Sequence, residues 1–346
     1  MIRRIYLENF RNYPEKQVEL KPGINLIIGE NGTGKTNLLE AVFVLLEGRS
    51  PRTADLKEVV RTGEESALVR GWVGEGGEER GETRVEREGE VRRREARGFD
   101  AVAYMPDDIY LVKGGPEERR RYLDETVGLV KKGYRELSRE YARILKQRNE
   151  AIRMVRREVW GRERIRHWNT LLLERGEEIT RERMGMAERA TRAMKIFASG
   201  WGVGEIRTRY YSNMLTTGGE HGGEEKGVGG NEEKLRMLEE AEIRRGMTLL
   251  GPHRDELFFT YNGESARSRC SQGEQKILSL LLRLAQADII EEYSGRRPVL
   301  LLDDCFSELD ARNREALLTL LEGWGQVIVT STDDVAADAV SERIYL

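Results

Sequence analysis

The stretch INLIIGENGTGKTNLLE, residues 24–40, carries the clearest structural pattern in the chain. An apolar, β-branched run leads into a turn framed by glycines, and residues that favour helix follow the turn. The pattern GxxxxGK(S/T) is met at Gly29, Gly34, Lys35 and Thr36. Glycines in such a turn let backbone N–H groups approach phosphate oxygens, and the helix that follows adds the positive end of its dipole. The stretch therefore predicts a strand, a phosphate-binding loop (P-loop) and a helix over residues 36–47.

The P-loop predicts a nucleoside triphosphate site. Lys35 would reach the β- and γ-phosphates and assist catalysis, and Thr36 would ligate Mg²⁺. A glycine turn with a chance lysine is the alternative, but the strand before the turn and the helix after it favour the nucleotide site. The predicted nucleotide-binding residues of the loop are Gly29, Glu30, Asn31, Gly32, Thr33, Gly34, Lys35, Thr36 and Asn37.

Composition limits the class of protein. Charged residues make up 34% of the chain, yet the net charge is only −3, so a surface that binds a polyanion must be local. Cys270 and Cys305 are too few for a disulfide framework and lack the spacing of metal ligands. The start, MIRRIYLENF, has no signal-peptide core, and no run approaches the roughly 18 apolar residues that span a bilayer. We expect a soluble, cytoplasmic protein with no membrane partner.

The segment RPVLLLDDCFSELD, residues 297–310, has the pattern of a Walker B strand. An apolar run over residues 299–302 ends in Asp303 and Asp304. Asp303 is placed to hold Mg²⁺ through water, and Asp304 is placed to orient or deprotonate the attacking water. Related ATPases usually have glutamate at the second position. Because aspartate is one methylene shorter, we predict slow hydrolysis; two solvated aspartates that cap a strand are the alternative.

The segment CSQGEQKILSLLLRLA, residues 270–285, resembles the signature motif of ABC ATPases. In that superfamily the serine, the glycine and the helix N-terminus close over the γ-phosphate bound by the opposite subunit, so the motif implies a nucleotide shared between two copies. Ser271 could also simply cap the helix, with Glu274 completing a capping box, and the two roles are compatible. The predicted nucleotide-binding residues of this motif are Ser271, Gln272, Gly273 and Glu274.

The switch position of ABC proteins, commonly a histidine, follows the strand predicted from residue 326 onward. Here Ser331 and Thr332 are the candidates, so a hydroxyl would sense the γ-phosphate.

The chain predicts two domains. Residues 1–115 and 245–346 alternate strand-like and helix-like segments, as in an ATPase domain with a β-rich flank. Residues 116–244 form the predicted insertion, a helical arm. Within it, residues 216–234 predict a mobile glycine-rich loop in which His221 is inert.

Two amphipathic helices are predicted in the arm. Apolar or small residues recur at three-and-four spacing through residues 134–155, with only Arg148 out of place, and again through residues 168–197. We expect the two helices to pack as an antiparallel pair with a turn near Gly161.

Charge is unevenly distributed along the chain. Residues 75–98, dense in Glu, Arg and Gly, predict an exposed hairpin or meander. Between residues 131 and 166 there are thirteen Lys or Arg against five Glu. Such an excess could contact a phosphate backbone or could be a solvated face, and charge alone does not decide between them.

Several runs together resemble the RecF family of bacterial recombinational repair proteins, relatives of SMC heads. The runs are LENFRNY (7–13), GKTNLLEAV (34–42), GRSPRT (48–53), MPDDIYLVKGGPEERRRYLDE (105–125) and GPHRDEL (251–257), with Arg148, Asn149 and Trp168 inside the helices. The P-loop departs from the family in its middle, where GENGTGKT replaces the usual alanine and glutamine. That departure leaves the phosphate-binding positions intact.

The resemblance implies an α/β fold, an ABC-type P-loop ATPase head with a β-rich flank and an inserted helical arm domain. It also implies ATP and Mg²⁺ as cofactors and a weak, DNA-stimulated ATPase. The implied partners are a second copy of the chain, gapped or duplex DNA bound without sequence specificity, and mediator proteins of the RecR and RecO type that help to load recombinase at single-strand gaps. Under this resemblance the basic arm becomes an expected DNA contact.

Other classes share part of this pattern. A transporter ATPase would pair with membrane subunits and carry a switch histidine, and a small-molecule P-loop kinase would need an acceptor pocket and a lid instead of the signature. An SMC-like structural protein would need a much longer coiled coil than this arm, which has about 30 to 40 residues each way, or roughly 50 to 60 Å. For His253 and Arg254 we favour a role in positioning the strand before the signature helix, or in reaching across a dimer, over catalysis.

Overall fold

A computed structural model describes residues 1–74, 79–94, 99–215, 229–334 and 338–346. The strands are β1 (Ile2–Phe10), β2 (Tyr13–Glu19), β3 (Gly23–Ile28), β4 (Ser66–Val73), β5 (Glu79–Glu86), β6 (Val91–Arg94), β7 (Ala101–Tyr104), β8 (Ile206–Tyr211), β9 (Glu256–Tyr261), β10 (Glu264–Ser265), β11 (Val299–Leu302), β12 (Gln326–Ser331) and β13 (Val340–Tyr345). The α-helices are α1 (Lys35–Glu47), α2 (Tyr110–Lys113), α3 (Pro116–Val130), α4 (Tyr134–Arg156), α5 (Glu163–Arg166), α6 (Asn169–Trp201), α7 (Gly229–Arg245), α8 (Ala266–Arg269), α9 (Gln272–Ser294) and α10 (Ala311–Leu321).

The chain divides into two compact units. Unit 1 comprises Met1–Ile109, Ala193–Gly204 and Cys270–Leu346, and unit 2 comprises Tyr110–Arg192 and Glu205–Arg269. In this division, unit 2 begins at residue 110 and ends at residue 269. The domain boundaries expected near residues 116 and 244 stay a prediction.

Unit 1 contains a five-stranded sheet in the order β13-β3-β12-β11-β7. All of its strand pairs are parallel. The residues of β11 and β12 are buried throughout, as expected for a parallel sheet that is covered on both faces. The apolar strand predicted over residues 299–302 is therefore confirmed. Because the strands are parallel, the loops that follow β3, β11 and β12 leave the sheet at the same edge.

A second sheet of unit 1 forms the predicted β-rich flank. It is five-stranded, in the order β2-β1-β4-β5-β6, with every pair antiparallel. Helix α1 packs against strands of both sheets, and its apolar residues join those of β1, β4, β7 and β11 in one core. The predicted exposed hairpin corresponds to β5 and β6, while residues 75–78 and 95–98 lie outside the described residues.

In unit 2, α4 and α6 form the predicted antiparallel pair. Glu140 on α4 pairs with Arg175 on α6 at 3.0 Å, and Arg148 lies nearer the end of α4 yet bonds Asn169 at the start of α6. The contacts thus run in opposite directions along the two helices. The connection between them, residues 157–168, contains the short helix α5, so the turn predicted near Gly161 is confirmed.

Arg148, the position that broke the apolar pattern of α4, is a buried charge with a full set of partners. Its side chain is 1% exposed, and its guanidinium donates to Asn169 (3.0 Å), Thr248 (2.9 Å) and Glu242 (2.7 Å). Glu242 is itself fully buried. A buried charge is tolerated only when it is paired and hydrogen-bonded, so this cluster explains why arginine stands on the inward face of α4.

The predicted glycine-rich loop was wrong at residues 229–234, which form the first turns of α7. The rest of that prediction, residues 216–228 with His221, lies outside the described residues. The inward positions of α7 are Asn231, Leu235, Glu239 and Glu242, all buried. Because three of these four residues are polar, an apolar pattern does not mark the inward face at the start of this helix.

Candidate nucleotide-binding site

The P-loop lies between β3 and α1, with Gly34 as the N-cap of the helix. Gly34 has a φ of 108°, a left-handed conformation that favours glycine. A Cβ atom at this position would lie 2.6 Å from Asn12 Nδ2 and 2.7 Å from the Tyr13 hydroxyl. Glycine is therefore required here both by the backbone and by the space. Because Gly34 has no side chain, the N-cap residue does not occupy the first N–H groups of α1, and these groups are suited to bind an anionic group.

Lys35 lies across the mouth of the loop. Its ammonium donates to the carbonyl oxygens of Gly29 (2.6 Å) and Glu30 (2.8 Å), and its side chain is largely buried. Lys35, which follows the loop, is thereby bonded to the residues at which the loop begins.

The two residues predicted to hold Mg²⁺ lie in contact. Thr36 Oγ1 donates to Asp303 Oδ2 at 2.8 Å, although the residues are 267 positions apart in the chain. Thr330, at the end of β12, donates to the other oxygen of Asp303 at 2.7 Å. Asp303 is 3% exposed, so both hydrogen bonds orient a nearly buried carboxylate. A hydroxyl and a carboxylate oxygen at this spacing are ligands that suit Mg²⁺.

Thr330 is a residue of this site that the sequence analysis missed. It links the two aspartates, because its hydroxyl also accepts a hydrogen bond from the backbone N–H of Asp304 at 2.9 Å. The feature that could have identified Thr330 is its place near the end of β12, which neighbours β11 in the parallel sheet.

Asp304 stands on strained backbone. Its φ is 49°, a left-handed value that a non-glycine residue seldom adopts and that often marks a functional site. Its carbonyl oxygen accepts a hydrogen bond from Lys276 at 2.9 Å. Its carboxylate makes no hydrogen bond to the described residues, so it is available to a water molecule.

The signature segment caps α9, as predicted. Ser271 accepts a hydrogen bond from the Glu274 N–H at 3.3 Å, and the Glu274 carboxylate accepts from the Ser271 N–H at 2.8 Å, which completes a capping box. Gln272 donates to the Glu308 carboxylate at 3.1 Å. Ser271 and Gln272 are exposed. A Cβ at Gly273 would meet only an ordinary contact, 3.5 Å from the Glu308 carbonyl, so the fold of this chain does not require glycine there.

At the predicted switch position the two hydroxyl residues differ. Ser331 ends β12, is buried, and accepts a hydrogen bond from the Asp333 N–H at 3.1 Å, whereas Thr332 is exposed. Thr332 is therefore the candidate with a hydroxyl that a ligand can reach.

The chain matches known proteins over nearly its whole length. The family model described as RecF/RecN/SMC N terminal domain matches residues 1–345. The chain is 36% identical to the DNA replication and repair protein RecF of Desulforudis audaxviator (strain MP104C), over 96% of this chain and 94% of that protein. The chain belongs to the RecF family.

A further RecF relative and two solved structures are also similar to this chain. The DNA replication and repair protein RecF of Bacillus velezensis is 32% identical over 96% of this chain and 93% of that protein. The recombination mediator protein RecF, solved as RecF-ATPrS in the RecFOR pathway, superposes with a TM-score of 0.83 at 29% identity and covers 100% of this chain and 96% of that one. An Smc head domain from Pyrococcus furiosus, at 18% identity with a TM-score of 0.53, covers 99% of this chain and 92% of that one and shows the shared fold alone.

These comparisons confirm the predicted fold class, an α/β ABC-type P-loop ATPase head with a β-rich flank and a helical arm. None of the helices in the described ranges is long and apolar enough to cross a membrane.

The RecF-like runs LENFRNY and GRSPRT meet at a buried carboxylate of α1. Glu40 accepts hydrogen bonds from Arg11 (2.9 and 2.8 Å), Ser50 (2.6 Å) and Arg52 (3.0 Å). Burial alone would raise the pKa of the Glu40 carboxyl, but the hydrogen bonds from Arg11 and Ser50 and the two arginine charges lower it below its ordinary value. Both runs are therefore attached to the helix that starts at the P-loop.

The same LENFRNY run also contacts the P-loop directly. Asn12 donates to the Thr33 carbonyl at 3.3 Å and accepts from the Asn37 side chain at 2.8 Å. Tyr13, 7% exposed, places its hydroxyl beside Gly34 without a hydrogen-bond partner among the described residues. Burial raises the pKa of Tyr13 to about 12.

The MPDD run attaches the signature helix to the parallel sheet. Asp108, which follows β7, accepts two hydrogen bonds from Arg283 on α9, at 3.1 and 2.6 Å. The same carboxylate also accepts from the Met105 N–H at 2.9 Å. This ion pair is largely buried in unit 1, where it holds α9 against β7, the strand that neighbours β11.

The GPHRDEL run is structural within unit 2, in line with the role favoured for His253 and Arg254. The Tyr141 hydroxyl donates to His253 Nδ1 at 2.7 Å, and His253 Nε2 donates to the Thr248 carbonyl at 3.2 Å. Burial lowers the pKa of His253 to about 4, so the ring is neutral near pH 7. Arg254 bonds the same Thr248 carbonyl at 3.2 Å. These contacts fix the chain just before β9.

The basic arm presents a stripe of cations on one face of α4. We call Arg135, Arg139, Arg143 and Lys146 the α4 stripe; their spacing places them on one side of the helix, and all are exposed. Arg139 pairs with Glu136 at 2.9 Å. The other three make no ion pair with the residues the structure describes. Lys131, by contrast, pairs with Glu182 on α6.

Proposed function

We propose that this RecF family member is an ATP-dependent DNA-binding protein of recombinational repair that dimerises on ATP and helps to load recombinase at single-strand gaps. The observation that carries the proposal is the Thr36–Asp303 hydrogen bond, because it unites the P-loop and the Walker B strand in one phosphate and metal site. The relatives named DNA replication and repair protein RecF support the same reading.

ATP would bind through the P-loop, residues 29–37. The free N–H groups at the start of α1 would bond the phosphate oxygens, and Lys35 would exchange its two carbonyl partners for the β- and γ-phosphates. The exchange is favourable because hydrogen bonds between two charged groups are stronger than those to a neutral carbonyl.

The chain's own groups would arrange the metal and the water. Bound Mg²⁺ supplies positive charge that neutralises the phosphates. Thr36 and Asp303 would hold it, with Thr330 fixing the Asp303 carboxylate. Asp304 would orient or deprotonate the attacking water with its free carboxylate. Since aspartate reaches less far than glutamate, we propose a weak ATPase, stimulated by DNA, that resets the complex.

The dimer would form through the signature segment. Ser271, Gln272, Gly273 and Glu274 would face the γ-phosphate held by the other copy. Two features support this. Ser271 and Gln272 are exposed although they lie at the start of a buried helix, and Gly273 is not needed for packing within its own chain. A glycine that costs helix stability without serving the fold is expected where another molecule approaches closely.

DNA would bind along the α4 stripe. Its cations would contact phosphates, which carry no base sequence, so binding to gapped or duplex DNA would not be sequence-specific. The solved RecF is described as part of a RecFOR pathway. We therefore propose mediator proteins of the RecO and RecR type as partners of this chain, and the cytoplasm as its location.

The test is sedimentation velocity of the purified chain with ATP, with ADP and without nucleotide. We expect a dimer only with ATP. Ser271→Arg should keep ATP affinity and lose the dimer, because the larger side chain blocks close approach of the second copy. Lys35→Ala is the matched control, since it should stay monomeric by failing to bind ATP. A wild-type chain that remains monomeric at saturating ATP, with and without a gapped duplex, contradicts the proposal.

A further inference from the structure

Lys276 is a buried lysine whose ammonium, within the described part of the chain, bonds a single segment. The residue lies in the second turn of α9 and is 6% exposed. Its Nζ donates to the carbonyl oxygens of Asp304 (2.9 Å) and Ser307 (2.7 Å) and to the Ser307 hydroxyl. A lysine is seldom buried unless its charge is satisfied, so this geometry needs an explanation.

The segment it holds, which we call the 304–308 turn, begins and ends in left-handed backbone. The φ angles are 49° at Asp304 and 64° at Glu308. Inside the turn the Ser307 hydroxyl donates to the Asp304 carbonyl at 3.0 Å. Two non-glycine residues in this conformation persist only when surrounding contacts impose it. Lys276 supplies three of those contacts.

The same face of α9 touches the turn twice. Gln272, one helical turn before Lys276, donates to the Glu308 carboxylate at 3.1 Å. Lys276 holds the start and middle of the turn, and Gln272 holds its end. At the start of the turn stands Asp304, whose N–H is fixed by Thr330 of the metal site. One short segment therefore has the candidate base at one end and the signature residues at the other.

We propose that Lys276 is a positioning residue that couples the two nucleotides of the dimer. The inference rests on the proposed function, in which Asp304 serves the nucleotide of its own chain and Ser271 and Gln272 contact that of the other. When the signature segment closes on the partner's γ-phosphate, α9 moves as a rigid helix and carries the Lys276 ammonium with it. The carbonyls of the 304–308 turn follow, and Asp304 is set at its own site. Hydrolysis at one site then depends on occupancy of the other.

Lys276→Met tests the coupling, because methionine keeps the volume of the stem and removes the donor. We expect ATP affinity within about 3-fold of wild type, since Lys276 does not touch the P-loop. We expect kcat to fall on the order of 100-fold, the usual effect of misplacing a catalytic group by about an ångström. The dependence of rate on ATP concentration should also lose its cooperativity, with a Hill coefficient that falls to about 1. Lys276→Arg, which restores a cationic donor, should recover a large part of kcat.

Lys234→Met is the matched control. Lys234 is a partly buried lysine of α7 in unit 2 that donates to the Asn213 carbonyl at 3.1 Å, whereas both motifs belong to unit 1. Its replacement should lower the unfolding temperature without changing kcat or cooperativity. If Lys276→Met behaves in the same way, losing stability alone, the lysine is only an anchor and the coupling is wrong. A wild-type chain that fails to dimerise with ATP would instead overturn the proposed function, so the two failures are distinguishable.

Discussion

The α4 stripe gives the sharpest prediction about DNA. Arg135, Arg143 and Lys146 are exposed and make no ion pair with the described part of the chain. The first and the last are 11 positions apart on the helix, or about 16 Å at 1.5 Å per residue. One DNA strand presents a phosphate about every 3.4 Å along the axis, so three separate phosphates lie within reach. Replacing all three cations with Gln should remove three phosphate contacts.

The magnitude follows from counterion release. Each phosphate contact contributes about 0.9 to the slope of log affinity against log salt, so the slope should fall by about 2.7. Between about 50 and 200 mM salt, wild-type affinity should therefore drop about 40-fold more than that of the variant. Fluorescence anisotropy with a labelled gapped duplex, measured with ATP across that salt range, gives both slopes.

The control is a second triple variant with the same change in net charge, from −3 to −6. It replaces three cations that are 66 to 70% exposed and already paired with glutamates: Arg92, Arg121 and Arg207. This control should keep the wild-type slope. An unchanged slope in the stripe variant, or an equal loss in the control, would show that DNA binds elsewhere or that only overall charge matters.

Two further predictions concern stability. Tyr13→Phe should raise the free energy of unfolding of the nucleotide-free protein by about 1 kcal/mol, because it removes a buried hydroxyl that lacks a partner in the described structure. Urea denaturation measures this change, and a decrease of similar size would show that the hydroxyl is hydrogen-bonded. The pKa of His253 falls from 6.5 to about 4 on folding, so between these pH values the unfolded chain binds more protons than the folded chain. The free energy of unfolding should therefore decrease as pH falls through this window, by about 3 kcal/mol in all. His253→Gln should flatten this part of the stability profile, and a variant with the wild-type pH dependence would refute the buried neutral ring.

The local structure of the candidate nucleotide site could be predicted from sequence because the sequence pattern that specifies it is local. A P-loop occupies consecutive residues, so the turn at residues 29–34 between β3 and α1 was predicted correctly, and Lys35 and Thr36 open the helix that follows. The Walker B strand is likewise an unbroken apolar run that ends in carboxylates. Their meeting through Asp303 and Thr36 follows because parallel strands release their loops at one edge of the sheet.

The parts that escaped prediction depend on partners distant in the chain. Arg148 looked misplaced on α4 because Glu242, its partner, lies 94 positions away on a helix with a polar inward face. The start of α7 was not predicted because its sequence is rich in glycine and its inward positions are polar. Lys276 could not be singled out from the sequence, since no residue near it in the chain indicates that a turn 28 positions later supplies its acceptors. Buried polar networks of this kind are specified by geometry, and apolar periodicity does not report them.

Glu40 has a consequence for how substitutions near the nucleotide site combine. Because Arg11 and Arg52 converge on one carboxylate, either can be lost while the other still neutralises it. Losing both leaves an uncompensated negative charge in the interior, so the double substitution should cost more than the sum of the singles. Loss of Glu40 alone has the opposite effect, because the positive charges of Arg11 and Arg52 then lie close together without a counterion. Among natural variants, loss of one arginine should therefore occur alone, whereas loss of both arginines should occur only together with loss of Glu40.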